Sequence, residues 1–156
     1  LKTSILFGSA AYGGALIGDK TIEEANELRQ MAIWVGLGFQ IWDDYLDATA
    51  PAEVLGKPSG SDIRQGKRTL LVIEALNRTK PDQRKELIKI LDDNKNTDDD
   101  VQRAVEIMSE CGALENCRKQ ALDYLHGAKE TIEKYPKGEA RELLEELLEY
   151  MVTRGH

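Results

Sequence analysis

The sequence predicts an all-α protein. Apolar residues recur at spacings of three and four along several long stretches, which is the pattern of one buried helix face. Residues that begin or end helices separate these stretches, and no stretch has the sustained alternation of a half-buried strand. The chain has 156 residues, of which 41% are hydrophobic and 31% are charged, so it can form a globular domain with its own core.

The first half of the sequence predicts two helices. The first covers residues 1–16 and ends at the Gly18–Asp19 turn. Thr21 and Glu24 then have the spacing of a capping box, which predicts the start of a second helix. An unbroken apolar seam extends this second helix over residues 21–47, or roughly 40 Å at 1.5 Å per residue.

A loop and five further helices are predicted in the rest of the chain. Periodicity stops over residues 48–66, where repeated Pro and Gly predict a long mobile loop. Pro81 suits a first helical turn, Thr97 suits a helix N-terminus and Gly112 suits a helix end. The predicted helices cover residues 69–77, 81–92, 97–110, 113–135 and 139–153.

Composition excludes several classes of partner. The net charge of −7 argues against a non-specific nucleic-acid partner, because such partners require clustered cations. No apolar run reaches the length of about 20 residues that a membrane span needs, so we expect a cytoplasmic protein. Cys111 and Cys117 fit neither a zinc site nor a disulfide framework and are expected to be reduced.

Because the first residue is Leu1 and not Met, we expect the chain to be part of a longer protein.

The end of the second predicted helix carries a D-D-x-x-D cluster formed by Asp43, Asp44 and Asp47. Helical spacing places Asp43 and Asp47 on one stripe with Gln40 and Gly36, and Asp44 about 100° to the side. Converging carboxylates suit Mg²⁺, which combines one or two carboxylates with water and substrate phosphates. Gly36 is expected to leave space for a ligand one turn away. A solvated helix end is the alternative, but the helix dipole opposes negative charge there.

The predicted loop that follows is rich in glycine and cations. Lys57, Arg64, Lys67 and Arg68 are expected to meet phosphates, because lysine acts as a point charge and glycine admits close backbone approach. An ordinary basic surface loop is the alternative interpretation.

Two patterns in succession carry a family resemblance. F-Q-x-x-D-D-x-x-D, beginning at Phe39, is followed by G-K-P-x-G-x-D-x-x-x-G-K-x-T, and Lys2-Thr3 forms an upstream K-T pair. These motifs resemble the second aspartate-rich region of the trans-isoprenyl diphosphate synthases. The resemblance implies that residues 1–156 are the C-terminal part of a single domain, namely the C-terminal half of the isoprenoid synthase helical bundle.

The resemblance also implies a short-chain prenyltransferase that makes geranylgeranyl or farnesyl diphosphate. An allylic diphosphate ionises with the help of Mg²⁺, and the double bond of isopentenyl diphosphate attacks the allylic carbocation. By position in the motifs, Asp43, Asp44 and Asp47 are the expected metal ligands, Asp43 most directly. The residues expected at the substrates are Lys2, Thr3, Gln40 and Lys57 for the allylic diphosphate, Phe39 near isopentenyl diphosphate, and, as weaker candidates, Lys67 and Arg154.

The sequence departs from the family at one important point. The first aspartate-rich motif and its following arginines have no counterpart, and Asp98–Asp100 lies too late in the chain to replace them. We therefore expect activity only together with the missing N-terminal half, in a complete enzyme that forms a homodimer. Two alternatives remain: a non-catalytic helical subunit that stabilises or regulates a complete synthase, and a different Mg²⁺-dependent terpenoid enzyme, which fits the lysine loop less well.

Overall fold

The computed structural model describes residues 2–56 and 58–153. All regular secondary structure in these ranges is α-helical, which confirms the predicted class. The helices are α1 (Lys2–Ile17), α2 (Ile22–Thr49), α3 (Ala52–Leu55), α4 (Ser61–Arg64), α5 (Leu70–Arg78), α6 (Pro81–Asp92), α7 (Asp98–Glu110), α8 (Ala113–Ile132) and α9 (Glu139–Thr153).

The connection between α1 and α2 follows the predicted local signals. The Lys20 amide donates to the Ala15 carbonyl at 3.0 Å, and Asp19 takes the left-handed conformation with φ 57°. The Thr21 amide then donates to Glu24 Oε2 at 2.9 Å, while the Glu24 amide donates to Thr21 Oγ1 at 3.2 Å. This capping box lowers the pKa of Glu24, chiefly through the hydrogen bond from the Thr21 backbone. It satisfies two amides at the helix start, so α2 begins where the sequence predicts.

The segment after α2 is more regular than predicted. The expected loop over residues 48–66 contains α3 and α4, each four residues long, so the prediction of one continuous loop is wrong there. Helices this short cannot display an apolar repeat, and their formation depends on partners elsewhere in the fold. One of these partners is Asp47, described with the site below.

The later helices begin and end close to the predicted residues. Thr97 caps α7 in a reciprocal box with Asp100, and these hydrogen bonds lower the pKa of Asp100, the bond from the Thr97 backbone most of all. Gly112 has a φ of 74° after α7. The predicted end of α8 is wrong by three residues, because the chain leaves the helix after Ile132 in a turn that closes with the Tyr135 amide on the Ile132 carbonyl.

The chain divides into two compact units. Of the described residues, the first unit contains 2–40 and 120–153, and the second contains 41–56 and 58–119. Each unit has its own buried apolar side chains, and full burial of one such side chain contributes about 1.5–3 kcal/mol. Core members of the first unit are Met31, Val35, Leu125, Ala128, Ile132, Leu148 and Met151; those of the second include Leu71, Val72, Leu87, Ile107 and Met108.

Close packing in the first unit overturns the interpretation of Gly36. A Cβ built on Gly36 would lie 2.5 Å from the Cα of Ser4 on α1. The space that was expected to receive a ligand is therefore filled by α1. The glycine allows the backbones of α1 and α2 to approach each other.

Candidate functional site

The three aspartates at the end of α2 lie in different environments. Asp43 is exposed and Asp44 is half-buried, whereas Asp47 is only 3% exposed. A carboxylate is almost never this buried unless it is paired or hydrogen-bonded. The D-D-x-x-D pattern thus combines two accessible carboxylates with one that faces the protein interior.

Both carboxylate oxygens of Asp47 accept hydrogen bonds from the segment that forms α4. Ser61 Oγ donates to Asp47 Oδ1 at 2.6 Å, and the Asp62 amide donates to Asp47 Oδ2 at 2.9 Å. These bonds compensate for the loss of hydration of the buried charge. They also fix the first turn of α4 to the last turns of α2.

The backbone of Asp47 holds the same segment. The Gly60 amide donates to the Asp47 carbonyl at 2.6 Å, and Ser59 Oγ donates to the Ala50 carbonyl at 2.7 Å. Gly60 has a φ of 70°, and a Cβ at this position would lie 2.3 Å from Val101 Cγ1. Only glycine combines this left-handed conformation with so close an approach. Residues 59–62 are therefore fixed in position by several independent contacts.

Lys67 and Asp62 form an ion pair in which the Lys67 ammonium lies 2.5 Å from Asp62 Oδ1. The two side chains line a small cleft together with Asp44, Asp47 and Thr69. The cleft has a volume of about 10 Å³, room for about one water molecule, so it groups a cation and carboxylates without forming a cavity for a larger ligand. Asp62 was not among the predicted site residues, although it is the aspartate of the G-x-D-x-x-x-G-K pattern.

Arg64 and Arg68 contact other helices of the second unit. Arg64 is paired with Asp98 at the start of α7. Arg68 is paired with Asp92 at 2.5 Å and also donates to the Gly66 carbonyl at 2.8 Å. The expectation that these arginines meet phosphates is not supported by these contacts. They connect the loop to α7 and α6.

Some predicted substrate-binding residues lie in the first unit. Thr3 Oγ1 donates to Gln40 Oε1 at 3.2 Å, so the structure brings these two together across α1 and α2. Lys2 is exposed on the first turn of α1. The ring of Phe39 is stacked on Phe7 with centroids 6.4 Å apart. Lys57 and Arg154 lie outside the described residues.

The metal prediction can be tested against the donor atoms. Among the described residues, no group of three or more His, Cys, Asp or Glu side chains is gathered as a metal cage. Asp43 and Asp44 nevertheless offer two accessible carboxylates, and Mg²⁺ characteristically takes one or two, with substrate phosphates and water completing its shell. This donor set fits a magnesium ion that is held jointly by protein and substrate. Direct ligation by Asp47 stays a prediction.

The first unit also has an open apolar groove of about 440 Å³. Leu6, Phe7, Leu144 and Leu147 are among its lining residues, and Leu6 is 70% exposed. Large apolar side chains exposed together in a groove are typical of a surface that binds another apolar group. Separately, the described helices include none that is long and apolar enough to cross a membrane.

Fold and site together define an all-α protein in which a long helix ends in an aspartate cluster beside a lysine-bearing loop. Residues 1–108 match the polyprenyl synthetase family. The chain therefore belongs to this family, which confirms the resemblance carried by its motifs.

Individual relatives agree with this assignment. The chain is 39% identical to the short chain isoprenyl diphosphate synthase of Methanothermobacter thermautotrophicus, over 99% of this chain and 47% of that protein. It matches the crystal structure of geranylgeranyl pyrophosphate synthetase from Pyrococcus horikoshii with a TM-score of 0.89 and 36% identity, over 97% of this chain and 46% of that one.

A polyprenyl synthase from Caulobacter crescentus, crystallised with calcium and isoprenyl diphosphate, matches with a TM-score of 0.83 and 34% identity, over 97% of this chain and 46% of that one. The chain thus spans about half the length of the relatives it matches.

Proposed function

We propose that this chain is the C-terminal, diphosphate-binding part of a short-chain isoprenyl diphosphate synthase. The observation that carries the proposal is the grouping of Asp44, Asp62 and Lys67 at the end of α2 around one small cleft. The cleft has a volume of about 10 Å³, room for about one water molecule, so a diphosphate would lie outside it and contact the side chains from there. A family member with this arrangement can bind a diphosphate through a divalent cation and a lysine. The relative crystallised with calcium and isoprenyl diphosphate supports an anionic substrate held with an oxygen-preferring cation.

Asp43 and Asp44 are the proposed holders of Mg²⁺, which when bound neutralises the diphosphate and makes it a better leaving group. Lys67 contributes a further positive charge to the phosphate oxygens, and Lys57 is proposed to act with it. In the first unit, Lys2 and the hydrogen-bonded pair of Thr3 and Gln40 are proposed contacts of the allylic diphosphate. Phe39 is the proposed neighbour of isopentenyl diphosphate.

The reaction is a carbon–carbon coupling. The allylic C–O bond breaks and its electron pair leaves with the diphosphate. The double bond of isopentenyl diphosphate then attacks the allylic cation, and loss of a proton restores a double bond. The contribution of this chain's residues is electrostatic, because its cations stabilise the negative charge that develops on the departing diphosphate.

We further propose that the chain works with an N-terminal half that supplies the first aspartate-rich motif. The apolar groove of the first unit gives this half a surface on which to pack, because its exposed leucines are the kind of side chain that helix packing buries. The complete enzyme is proposed to be a homodimer, active in the cytoplasm.

The test is to express the chain together with the N-terminal half of the Methanothermobacter relative. The co-purified complex is assayed for condensation of isopentenyl diphosphate with an allylic diphosphate. Asp43→Asn is expected to lower turnover by orders of magnitude, because it removes a proposed Mg²⁺ ligand. Asp99→Asn on the exposed first turn of α7 is the matched control and is expected to leave turnover nearly unchanged. Near-normal turnover of Asp43→Asn would overturn the proposed site.

A second candidate function is a non-catalytic helical subunit of a complete synthase. This candidate predicts that the chain co-purifies with a full-length synthase whose activity is indifferent to Asp43→Asn. The same pair of variants therefore separates the two functions.

A further inference from the structure

Asp47 differs from the other two aspartates of its motif in where its carboxylate points. It is 3% exposed, and its two oxygens accept hydrogen bonds from the Ser61 hydroxyl and the Asp62 amide. A directly bound Mg²⁺ demands near-octahedral geometry at about 2.0–2.1 Å and keeps several of its waters. Ligation by Asp47 would place this hydrated ion against a side chain that is 3% exposed, at an oxygen that already accepts a hydrogen bond.

The segment that Asp47 holds also determines the position of Lys67, the lysine that lines the cleft. The Asp62 amide is bound to Asp47, the Asp62 carboxylate is paired with the Lys67 ammonium, and the Lys67 amide donates to the Asp62 carbonyl at 2.9 Å. Displacement of Asp62 would therefore displace Lys67. Lys67 is 51% exposed at its side chain, and its pairing with Asp62 links its ammonium to the segment that Asp47 holds.

We propose that Asp47 is a positioning residue and not a metal ligand: through Ser61 and Asp62 it fixes the loop that places Lys67 for the diphosphate. This inference rests on the proposed function for the role of Lys67. Ser61 and Asp62 are assigned the same positioning role, because they donate the hydrogen bonds that Asp47 accepts. Within the D-D-x-x-D motif, Asp43 and Asp44 would hold the metal ion, whereas Asp47 would position the loop.

The two roles predict different metal dependence. In the co-purified complex, we expect Asp47→Asn and Ser61→Ala each to raise the KM for the allylic diphosphate about tenfold, because each disturbs a hydrogen bond to a buried charge. The Mg²⁺ concentration for half-maximal activity is expected to stay unchanged in both, whereas Asp43→Asn should raise it. The double variant should be no worse than Asp47→Asn alone, since the hydrogen bond that Ser61→Ala removes is one of those that Asp47→Asn already weakens.

An increase in the Mg²⁺ requirement of Asp47→Asn, matching that of Asp43→Asn, would overturn the inference. So would a normal KM in Ser61→Ala, because this variant alters the loop anchor without changing any carboxylate. Ser61→Thr retains the hydroxyl and should restore most of the substrate affinity.

Two measurements without turnover separate this inference from the proposed function. Amide hydrogen exchange of the peptide covering residues 59–67 should accelerate in Asp47→Asn and Ser61→Ala and stay unchanged in Asp43→Asn; unchanged exchange in the first two would overturn the anchoring role. Binding of inorganic pyrophosphate with Mg²⁺ should weaken about tenfold in Ser61→Ala. If the wild-type complex is inactive while exchange and pyrophosphate binding behave as stated, the proposed reaction fails and the positioning role stands.

Discussion

Gly36 of α2 lies against Ser4 of α1 so closely that a Cβ at position 36 would stand 2.5 Å from the Ser4 Cα and 3.0 Å from its Cβ. Ser4 is itself 2% exposed. Because backbone atoms define the contact, rotation of a side chain cannot relieve it. The fit between α1 and α2 therefore depends on the absence of a side chain at this position.

This contact predicts opposite effects for two glycine substitutions. Gly36→Ala should lower the free energy of unfolding by about 1–3 kcal/mol, the usual cost of overpacking. Gly14→Ala is the matched control, since a Cβ there meets nothing within 4 Å, and alanine in a helix is favoured over glycine by about 0.5–1 kcal/mol. Thermal unfolding of the purified protein measures both. Equal stability of the two variants would contradict the packing described for Gly36.

The long helix could be predicted from sequence because its determinants are local. Thr21 and Glu24 cap each other three residues apart, and α2 then follows an unbroken seam to within two residues of the predicted end at Asp47. Neither feature needs a distant partner. Gly36 shows the limit of this approach, because its small size is visible in the sequence but the residue that fills the space, Ser4, is not.

The loop could be predicted only in part, because its structure depends on residues that are distant in the sequence. Its glycines and cations are evident in the sequence, but the acidic partners of Arg64 and Arg68 lie 34 and 24 residues away in the chain. Similarly, α4 depends on hydrogen bonds to Asp47, which is 14 residues from Ser61. Long-range contacts of this kind decide which cations remain near the cleft and which stabilise the fold.

Burial predicts that the two cysteines differ in reactivity. Cys117 is fully buried, and burial, with a smaller contribution from the Glu74 carboxylate, raises its pKa from 9.0 to about 11. At pH 8 this lowers the thiolate fraction about a hundredfold. A thiol-specific reagent should therefore modify Cys111 in the native protein and reach Cys117 only after denaturation.

The raised pKa of Cys117 also has a consequence for stability. Between about pH 9 and pH 11 the folded state holds the thiol proton more tightly than the unfolded state. The contribution of this group to stability is complete below pH 9 and declines as the pH rises toward 11.

Cys111→Ser is the control for the labelling experiment, because Cys117 is the thiol that remains in this variant. Rapid labelling of Cys111→Ser at pH 8 in the native state would contradict the burial of Cys117.

The apolar groove predicts where the proposed N-terminal half would bind. Leu144 lines the groove and is 39% exposed, so Leu144→Glu should place an unpaired charge in the proposed contact. Burial of such a charge costs several kcal/mol, so recovery of the complex with the N-terminal half should fall at least tenfold. Leu143→Glu is the matched control, because Leu143 is 58% exposed and lies outside the groove. Circular dichroism of each variant alone would show whether the helices remain folded. Equal recovery of the Leu144→Glu complex and the unmodified complex would exclude this groove as the contact surface.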